Sequence, residues 1–413
     1  MTKIAFYTLG CKVNQYETQL MREQCLENRF EKVPFSQKAD IYVINTCTVT
    51  LKSDRKSRYY IHSALRRNPQ AKIIVAGCYV NRAQNDLNKI SQNIICLSNQ
   101  SKKDILDYLI GKGDKVPVSS ISKFEGHSRA FVKIQDGCDA YCSYCIVPYV
   151  RSVLWSRPKE EILEEINTLV KNGCKEVVLT GIRLGMYEDG KEALIRLIKL
   201  IHDIEGLKRI RLSSIEPMDI SDELIDLFPK LQKLCHHMHI PLQSGDDDIL
   251  RTMNRKYTRK QYRALIDKIR KKVPDINITT DVIVGFPGET EENFNNTLEF
   301  IKNLKFGKLH VFKFSKREGT QASNLGDQVK PKIIQQRSKK LLEISKNMTR
   351  DYYSRFLGKD VEVFIEGKAK NKGSSVGLTN HYIRVLIDKK QERKDIVNVK
   401  IEKADCEFAY GKA

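Results

Sequence analysis

The sequence lacks the long apolar segments of a membrane or secreted protein. No stretch approaches the roughly 20 consecutive apolar residues that a membrane-spanning helix requires. The apolar run after Met1 is also too short for the core of a secretory leader. We therefore predict a cytoplasmic protein without a membrane partner.

Acidic residues are in short supply relative to basic ones. The chain has 72 Lys and Arg residues against 51 Asp and Glu residues, which gives a net charge of +21. Residues 1–109 carry 17 basic against 9 acidic residues, and residues 359–413 carry 12 against 9, so the excess is not confined to a basic tail. This distribution favours a broad surface for a polyanion such as RNA. A basic protein without such a partner is the alternative.

The cysteines do not suggest a disulfide framework. Their number, 11, is odd, and a reducing compartment favours metal ligation. Cys138, Cys142 and Cys145 are separated by three and then two residues, and no fourth cysteine lies nearby. Three thiolates at this spacing can hold an iron–sulfur cube and leave one iron open. The alternatives are a zinc site, although such sites usually have four protein ligands, or three buried thiols.

A second group of cysteines follows three predicted strands. The apolar runs at 4–9, 41–44 and 72–76 are followed by Cys11, Cys47 and Cys78, respectively. The carboxyl ends of the strands in an open α/β sheet are where such sheets bind their ligands. We therefore predict a second three-thiolate cluster at this edge, with packing cysteines as the alternative.

The segment after Cys47 is basic and helix-like. Residues 52–67 contain Lys and Arg interleaved with Tyr59, Tyr60 and His62. Such charge usually covers a solvated helix face, but its position after Cys47 allows part of it to reach an RNA backbone.

The middle of the chain predicts a barrel-like parallel sheet. With 413 residues the chain should form about two to four domains, and residues 110–126 are a predicted linker. Six strand candidates follow, at 130–135, 176–180, 209–213, 236–240, 277–284 and 308–314. Predicted helices at 158–171, 192–204, 259–272 and 290–303 separate most of them, which is typical of repeated βα units. Small or polar loops follow successive strands, where barrel enzymes gather their chemistry.

The C-terminal section changes to short strands. A predicted helix at 332–357 precedes strand candidates at 361–365, 381–387 and 396–404. These predict a small β-barrel, a fold that often binds nucleic acid.

Together these residues resemble the methylthiotransferase family of radical S-adenosylmethionine (SAM) enzymes. The fold class implied is α/β: an open α/β sheet domain at 1–110, a partial (βα)6 radical SAM core at 124–356, and a TRAM-like RNA-binding β-barrel at 357–413. The resemblance implies two [4Fe-4S] clusters and SAM. Cys138, Cys142 and Cys145 would hold the cluster that cleaves SAM to a radical, and Cys11, Cys47 and Cys78 would hold an auxiliary cluster. SAM contacts are expected at Tyr144, Gly181, Gly185, Ser214, Glu216, Gln243 and Gly285.

Two motifs are similar to one branch of the family. Residues 8–17 and 45–50 resemble the branch that adds a methylthio group to C2 of N6-threonylcarbamoyladenosine, 3′ of the anticodon. The implied partners are the tRNA anticodon stem-loop, an electron donor and a sulfur source. The alternatives are methylthiotransferases for isopentenyladenosine tRNA or a ribosomal protein, and a non-enzymatic iron–sulfur RNA-binding protein.

The chain departs from the family pattern at two places. After Arg151, where the family usually has a glycine and basic residues, it has Ser152 and then Val153-Leu154-Trp155. Arg183 stands where asparagine is common. Trp155 could stack on a base or pack against the core.

Overall fold

A computed structural model of the protein describes residues 1–111, 113, 115–189, 191–369 and 373–413. The chain forms two compact units. Unit 1 comprises Met1–Glu125, Phe131–Leu169 and Ser315–Ser323, and unit 2 comprises Gly126–Ala130, Val170–Phe314 and Asn324–Ala413. The domain limits expected at 110, 124 and 357 stay predictions. Both cysteine groups fall within unit 1.

Unit 1 contains a five-stranded parallel sheet in the order β2-β1-β3-β4-β5, the flavodoxin-like order. Its strands are β1 (Lys3–Thr8), β2 (Glu31–Lys32), β3 (Ile41–Thr46), β4 (Lys72–Gly77) and β5 (Ile94–Leu97). Its helices are α1 (Lys12–Glu27), α2 (Leu51–Arg67), α3 (Cys78–Asn88) and α4 (Ile105–Ile110).

The central strands of this sheet are buried on both faces. All six residues of β3 are buried. Tyr42 and Ile44 pack into one hydrophobic cluster, whereas Ile41 and Val43 pack into another. Because successive strand residues point to opposite faces, the two clusters lie on the two sides of the sheet. This explains why the sequence shows continuous apolar runs here and not an alternating pattern.

The loop that carries Cys138, Cys142 and Cys145 lies between short elements. These are β6 (Ala130–Lys133), β7 (Gln135–Asp136), α5 (Val147–Val150), β8 (Trp155–Ser156) and α6 (Lys159–Lys171). β7 and β8 pair antiparallel, so the loop leaves and re-enters the fold at one place. The predicted linker contains two residues, 112 and 114, that lie outside the described part of the chain.

Unit 2 continues with parallel strands and helices. β9 (Glu176–Thr180) pairs with β10 (Arg209–Leu212), and β12 (Asn277–Val284) lies between β11 (His237–His239) and β13 (Lys308–Lys313). The helices are α7 (Lys191–His202), α8 (Asp222–Ile225), α9 (Asp247–Thr252), α10 (Arg259–Lys272), α11 (Glu291–Leu304) and α12 (Pro331–Ser354). The mixed α/β class is confirmed, with all six predicted core strands present within about two residues of their expected bounds.

The C-terminal section is a closed five-stranded barrel in the order β14-β15-β16-β18-β17. Its strands are β14 (Asp360–Lys368), β15 (Ser375–Thr379), β16 (Arg384–Ile387), β17 (Ile396–Ala404) and β18 (Ala409–Lys412). The predicted barrel is confirmed. β16 starts three residues later than expected, because Tyr382 has a left-handed backbone conformation (φ 62°) that belongs to a turn.

Two buried arginines of β10 attach this barrel to the rest of unit 2. Arg209 donates to the carbonyl oxygens of Leu378 (2.8 Å) and Glu362 (2.9 Å). Arg211 donates to the Thr379 carbonyl oxygen at 2.6 Å. Both arginines are almost fully buried, so water competes little for their charge-assisted hydrogen bonds.

A carboxylate between two imidazoles adds a second attachment. Asp275 accepts from His236 Nδ1 at 3.0 Å and from His381 Nε2 at 2.8 Å. His381 belongs to the barrel section, whereas Asp275 and His236 precede β12 and β11.

None of the helices in the described ranges has the length and apolar character required to cross a bilayer.

Candidate functional site

Three neighbouring strands of unit 1 deliver one cysteine each to the same edge of the sheet. Cys11 follows β1 and caps α1, Cys47 follows β3, and Cys78 is the first residue of α3 directly after β4. Since β1, β3 and β4 are adjacent and parallel, their carboxyl ends lie side by side. The structure therefore brings the predicted auxiliary cysteines together.

The backbone at this edge is packed so closely that glycine is required. Gly10 has φ +100°, and a Cβ there would lie 2.9 Å from Cys47 Cβ and 3.2 Å from its Sγ. Gly77 has φ +102°, and a Cβ there would lie 2.5 Å from the Thr46 carbonyl oxygen. Larger residues would separate the strand ends that carry the thiols.

The three thiols also affect each other electrostatically. Burial raises the pKa of the Cys47 thiol, and the nearby Cys78 and Cys11 thiols raise its pKa further. A bound cation would relieve mutual repulsion of this kind between ionised thiols. All eleven cysteines of the chain are in the thiol form.

Asn14 fastens the loops that carry two of these cysteines. Its Nδ2 donates to the carbonyl oxygens of Leu9 (2.8 Å) and Thr46 (2.9 Å), which precede Cys11 and Cys47. Asn45 Nδ2 donates in turn to the Asn14 carbonyl oxygen at 2.9 Å. Asn14 is 1% exposed, so these hydrogen bonds lie in the buried part of the unit.

The second cysteine group lies on one loop. The Cys138 N–H donates to the Arg151 carbonyl oxygen at 3.2 Å, and the Cys145 N–H donates to the Cys142 carbonyl oxygen at 2.9 Å. Gly137, with φ +82°, lets the chain pass Val153, whose carbonyl oxygen would lie 2.2 Å from an added Cβ. All three cysteines are half-buried, as is Tyr144. The loop is therefore held by its own backbone, and its three cysteines are partly exposed.

Arg151 links this loop to the first cysteine group. Its Nε lies 3.3 Å from Cys78 Sγ, and its Nη1 donates to both carboxylate oxygens of Asp136 at 2.8 and 2.7 Å. Asp136 precedes Cys138 by two residues. Sequence reasoning did not identify this role for Arg151.

The remaining N–H groups of Arg151 bind residues of α1. Nη1 and Nη2 donate to the Glu17 carboxylate at 3.0 and 2.9 Å, and Nη2 also donates to Asn14 Oδ1 at 2.8 Å. All five guanidinium donors thus have partners. The side chain of Arg151 is 1% exposed, so its orientation is fixed by the protein.

Glu17 is the centre of a buried charge cluster. Besides Arg151, it pairs with Lys102 and with Lys133, the latter at 2.8 Å. Burial alone would raise the pKa of Glu17, but these three cations hold its pKa well below the usual value. The carboxylate is therefore ionised throughout the neutral range.

A cavity of about 470 Å³ opens beside this cluster. Its lining includes Glu17, Lys102, Lys133, Arg151 and Trp155. Trp155 is 45% exposed, and Lys133 Nζ lies 5.6 Å from the centre of its ring. Packing against the core, one of the two interpretations of this tryptophan, accounts for only part of the side chain, because nearly half of it remains accessible.

The other predicted SAM contacts lie in unit 2, after its parallel strands. Gly181 follows β9, Ser214 and Glu216 follow β10, and Gly285 follows β12. Gln243 has φ 65°, and its backbone hydrogen bonds join Asp281 and Ile283 of β12. These positions match the strand-end loops predicted for the core. Their contact with SAM stays a prediction.

Local contacts explain why some of these residue types stand at their positions. A Cβ on Gly185 would lie 2.3 Å from Asp219 Cβ, so glycine is required for close packing. Arg183, one of the departures from the family pattern, forms two hydrogen bonds of 3.0 Å with the same Asp219. Glu216 forms an ion pair with Arg255. The arginine at 183 thus has a partner within its own unit.

The first cysteine group fits an iron–sulfur cluster by its chemistry. Three thiols converge at strand ends and repel one another when ionised, and cationic Arg151 lies against one of them. The second group offers three partly exposed cysteines on a single loop, and three thiolates would leave one iron of a cluster open for a ligand.

Three family models match successive parts of the chain. The model described as uncharacterized protein family UPF0004 matches residues 3–98, the radical SAM superfamily matches 132–301, and the TRAM domain matches 354–413. The first two matches each contain one cysteine group. Fold and site thus define a radical SAM enzyme, which uses SAM and a [4Fe-4S] cluster.

Similar curated proteins show to which family of radical SAM enzymes the chain belongs. The chain is 39% identical to threonylcarbamoyladenosine tRNA methylthiotransferase MtaB of Bacillus subtilis (strain 168), covering 100% of this chain and 96% of that protein. It is 40% identical to the protein of the same name from Chlamydia pneumoniae, with 87% and 85% covered. A tRNA-2-methylthio-N(6)-dimethylallyladenosine synthase of Thermodesulfovibrio yellowstonii is 36% identical, with 96% and 95% covered. The chain belongs to the methylthiotransferase family of radical SAM enzymes.

Solved structures support the fold. The radical SAM methyltransferase TsrM from Kitasatospora setae has a TM-score of 0.58 at 15% identity, covering 76% of this chain and 75% of that one. The cobalamin-dependent SAM radical enzyme OxsB has a TM-score of 0.53 at 11% identity, with 86% and 57% covered. At these identities the likeness concerns the fold alone.

Proposed function

We propose that the protein adds a methylthio group to C2 of N6-threonylcarbamoyladenosine next to the tRNA anticodon. The observation that carries this proposal is the presence of two cysteine groups in one unit of a chain that aligns over its full length with threonylcarbamoyladenosine tRNA methylthiotransferases. Such a substrate is found in the cytoplasm.

The two groups have separate roles in this proposal. Cys138, Cys142 and Cys145 would hold the cluster that supplies the electron for SAM cleavage, whereas Cys11, Cys47 and Cys78 would hold the auxiliary cluster that supplies a site for the sulfur. The aromatic C–H bond of adenine is too strong for a side-chain acid or base, and a radical derived from SAM supplies the missing reactivity. That radical would take the hydrogen from C2 and leave as 5′-deoxyadenosine, and another SAM would supply the methyl group. The reaction also requires an electron donor and a sulfur source.

The protein's own residues position these groups. Gly10, Gly77 and Asn14 hold the auxiliary cysteines together at the sheet edge. Tyr144 and the strand-end residues Gly181, Gly185, Ser214, Glu216, Gln243 and Gly285 are the proposed SAM contacts. A held geometry of this kind converts a reaction between separate molecules into one within a single complex.

The surface of α2 is the proposed RNA contact beside the auxiliary cysteines. Lys52, Arg55 and Lys56 are exposed, and Tyr59 is 58% exposed. Cationic side chains neutralise phosphates, and an exposed aromatic ring offers a surface for a base. The C-terminal barrel is proposed as a second RNA contact because it matches the TRAM domain.

The choice of substrate branch rests on identity and on the motifs. Among the similar proteins, four threonylcarbamoyladenosine tRNA methylthiotransferases are 36–40% identical to the chain, and four tRNA-2-methylthio-N(6)-dimethylallyladenosine synthases are 32–36% identical. The sequence around Cys11 and Cys47 supports the first branch. A dimethylallyladenosine substrate is the second candidate, since one such enzyme reaches 36%.

The test is a nucleoside profile of tRNA. The gene is deleted, and total tRNA is digested and analysed by mass spectrometry. The proposal expects the 2-methylthio mark to disappear from threonylcarbamoyladenosine and to return with the wild-type gene. Loss of the mark from the dimethylallyl nucleoside would favour the second candidate, and an unchanged profile would reject both. Cells with a gene changed at Cys11, Cys47 and Cys78 to Ala serve as the matched control for expression.

A further inference from the structure

Arg151 connects the two cysteine groups through both its side chain and its backbone. Its Nε donates toward Cys78 Sγ at 3.3 Å, whereas its carbonyl oxygen accepts the Cys138 N–H at 3.2 Å. The same guanidinium forms a two-point contact with Asp136, two residues before Cys138. Its direct contact with the first group is thus made by the side chain, whereas its direct contact with Cys138 is made by the backbone.

We propose that Arg151 is a positioning residue that sets the reduction potential of the auxiliary cluster and fixes that cluster relative to the Cys138 loop. This inference rests on the proposed function, because it requires that Cys11, Cys47 and Cys78 hold a cluster. It assigns to one side chain a task that neither the motif nor the spacing of the cysteines indicates.

The electrostatic step concerns the sulfur of Cys78. A hydrogen bond and a positive charge at a ligating sulfur stabilise the reduced, more negative state of a cluster, and so raise its potential. Arg151 supplies both, and Asn99 Nδ2 lies 3.5 Å from the same sulfur as a second donor. Because the arginine side chain is 1% exposed, water and salt screen its charge little.

The local charge count also favours an anion at this place. Three cations, Arg151, Lys102 and Lys133, face two carboxylates, Glu17 and Asp136. The surplus of one positive charge is directed to Cys78, since Arg151 is the member that contacts it. Thiolates around a cluster would balance this surplus.

The positioning step depends on the shape of the guanidinium. Its donors bind Glu17 and Asn14 on α1 on one side and Asp136 on the other. Asn14 in turn donates to the Leu9 and Thr46 carbonyl oxygens beside Cys11 and Cys47. Lysine has a single nitrogen and cannot make these contacts together, so the planar fork is what joins the loops.

The experiment isolates the auxiliary cluster. In the full chain with Cys138, Cys142 and Cys145 changed to Ala, anaerobic reconstitution leaves the first group as the cluster site. Arg151→Lys keeps the charge but not the fork, and Arg151→Gln keeps two N–H donors without the charge. Arg209→Lys, a buried arginine that binds main-chain carbonyls in unit 2, is the matched control. Midpoint potentials are measured by electron paramagnetic resonance during redox titration.

We expect the potential to shift to more negative values in Arg151→Gln, to shift less in Arg151→Lys, and to stay at the parent value in Arg209→Lys. If the glutamine variant does not take up iron, the lysine variant carries the test. Potentials of both Arg151 variants equal to that of the parent would overturn the inference. A parent protein that takes up no cluster would instead refute the proposed function, so the two failures are distinct.

A second readout separates positioning from general damage. In the chain with all cysteines intact, Arg151→Lys should still form 5′-deoxyadenosine with dithionite as reductant, while methylthio transfer falls by about 10-fold or more. Equal loss of both products would contradict a role at the auxiliary cluster.

Discussion

Glu17 and Arg151 form a buried two-point ion pair, with both carboxylate oxygens accepting from the guanidinium at 3.0 and 2.9 Å. The pair joins the first helix of the chain to the end of the cysteine loop, 134 residues later. Burial of Arg151 would lower its pKa, yet Glu17, Cys78 and Asp136 raise that pKa well above the usual value. Both partners are therefore charged throughout the neutral range.

Removing the charge of Glu17 should destabilise the protein. In Glu17→Gln, three buried cations keep only Asp136 as a counter-charge, and breaking a buried pair costs about 3 kcal/mol or more. Denaturant unfolding of the cluster-free protein measures the loss. Glu161→Gln, at a 54% exposed side chain that pairs with Arg157, is the control and should cost about 0.5 kcal/mol or less. Similar losses for both variants would contradict the account of the charge cluster.

Iron content should report two separate sites. Anaerobically reconstituted wild type is expected to bind about eight irons, and each triple Cys→Ala variant about four, since each group holds one cubane. Iron and sulfide analysis with Mössbauer spectroscopy gives these values. Cys25→Ala, at a buried cysteine in the hydrophobic core of unit 1, is the control and should keep the wild-type iron content. Four irons in wild type would disprove the second cluster.

Acid should weaken the attachment of the C-terminal barrel. Hydrogen bonding from His381 lowers the pKa of Asp275, and burial lowers the pKa of His381 itself. The pKa of each group is lower in the folded than in the unfolded protein. Each group therefore makes its full contribution to the free energy of unfolding at neutral pH. That of His381 is lost as pH falls below about 6.5, and that of Asp275 below about 3.9.

The matching variant is Asp275→Asn. We expect its unfolding free energy to fall below that of wild type at pH 7, and the difference to shrink as the pH is lowered toward about 3. Thermal unfolding at pH 7, 5 and 3 tests this. Asp360→Asn, at an exposed carboxylate on β14, should follow wild type. A difference between Asp275→Asn and wild type that does not change with pH would contradict the assignment.

Charge reversal on α2 should weaken tRNA binding. Arg55→Glu with Lys56→Glu removes two exposed cations near Cys47, and each lost phosphate contact reduces the salt dependence of binding by about one unit of slope. Fluorescence anisotropy with an anticodon stem-loop measures both effects. Lys260→Glu with Lys271→Glu makes the same charge change on α10 and should have a smaller effect. Equal weakening would indicate that only total charge matters.

The sequence predicted most of the fold because the signals were local. The apolar runs of β1, β3 and β4 and the helical periodicity of α10 and α11 are readable within about fifteen residues. β2, with two exposed residues, and β15 and β18 at the barrel were missed, because short strands gain their stability from partners that are distant in sequence.

The candidate site was predicted in part. Strand ends indicated the positions of the cysteines, but the pairing of Glu17 with Lys102, Lys133 and Arg151 joins residues 85, 116 and 134 positions apart. One local signal could have found Glu17. Val13, Glu17 and Met21 share the i, i+4 spacing of one buried helix face, so an acid there requires a buried cationic partner. Arg183 could not be explained from the sequence, since Asp219 reaches it only in the fold.

The division of labour between the cysteine groups is the central claim, and an anaerobic reaction with SAM, reductant and a threonylcarbamoylated anticodon stem-loop tests it most directly. Wild type is predicted to form 5′-deoxyadenosine and the methylthio nucleoside. The variant lacking Cys11, Cys47 and Cys78 should form 5′-deoxyadenosine alone, and the variant lacking Cys138, Cys142 and Cys145 should form neither. Methylthio product from the first variant, or 5′-deoxyadenosine from the second, would contradict the account.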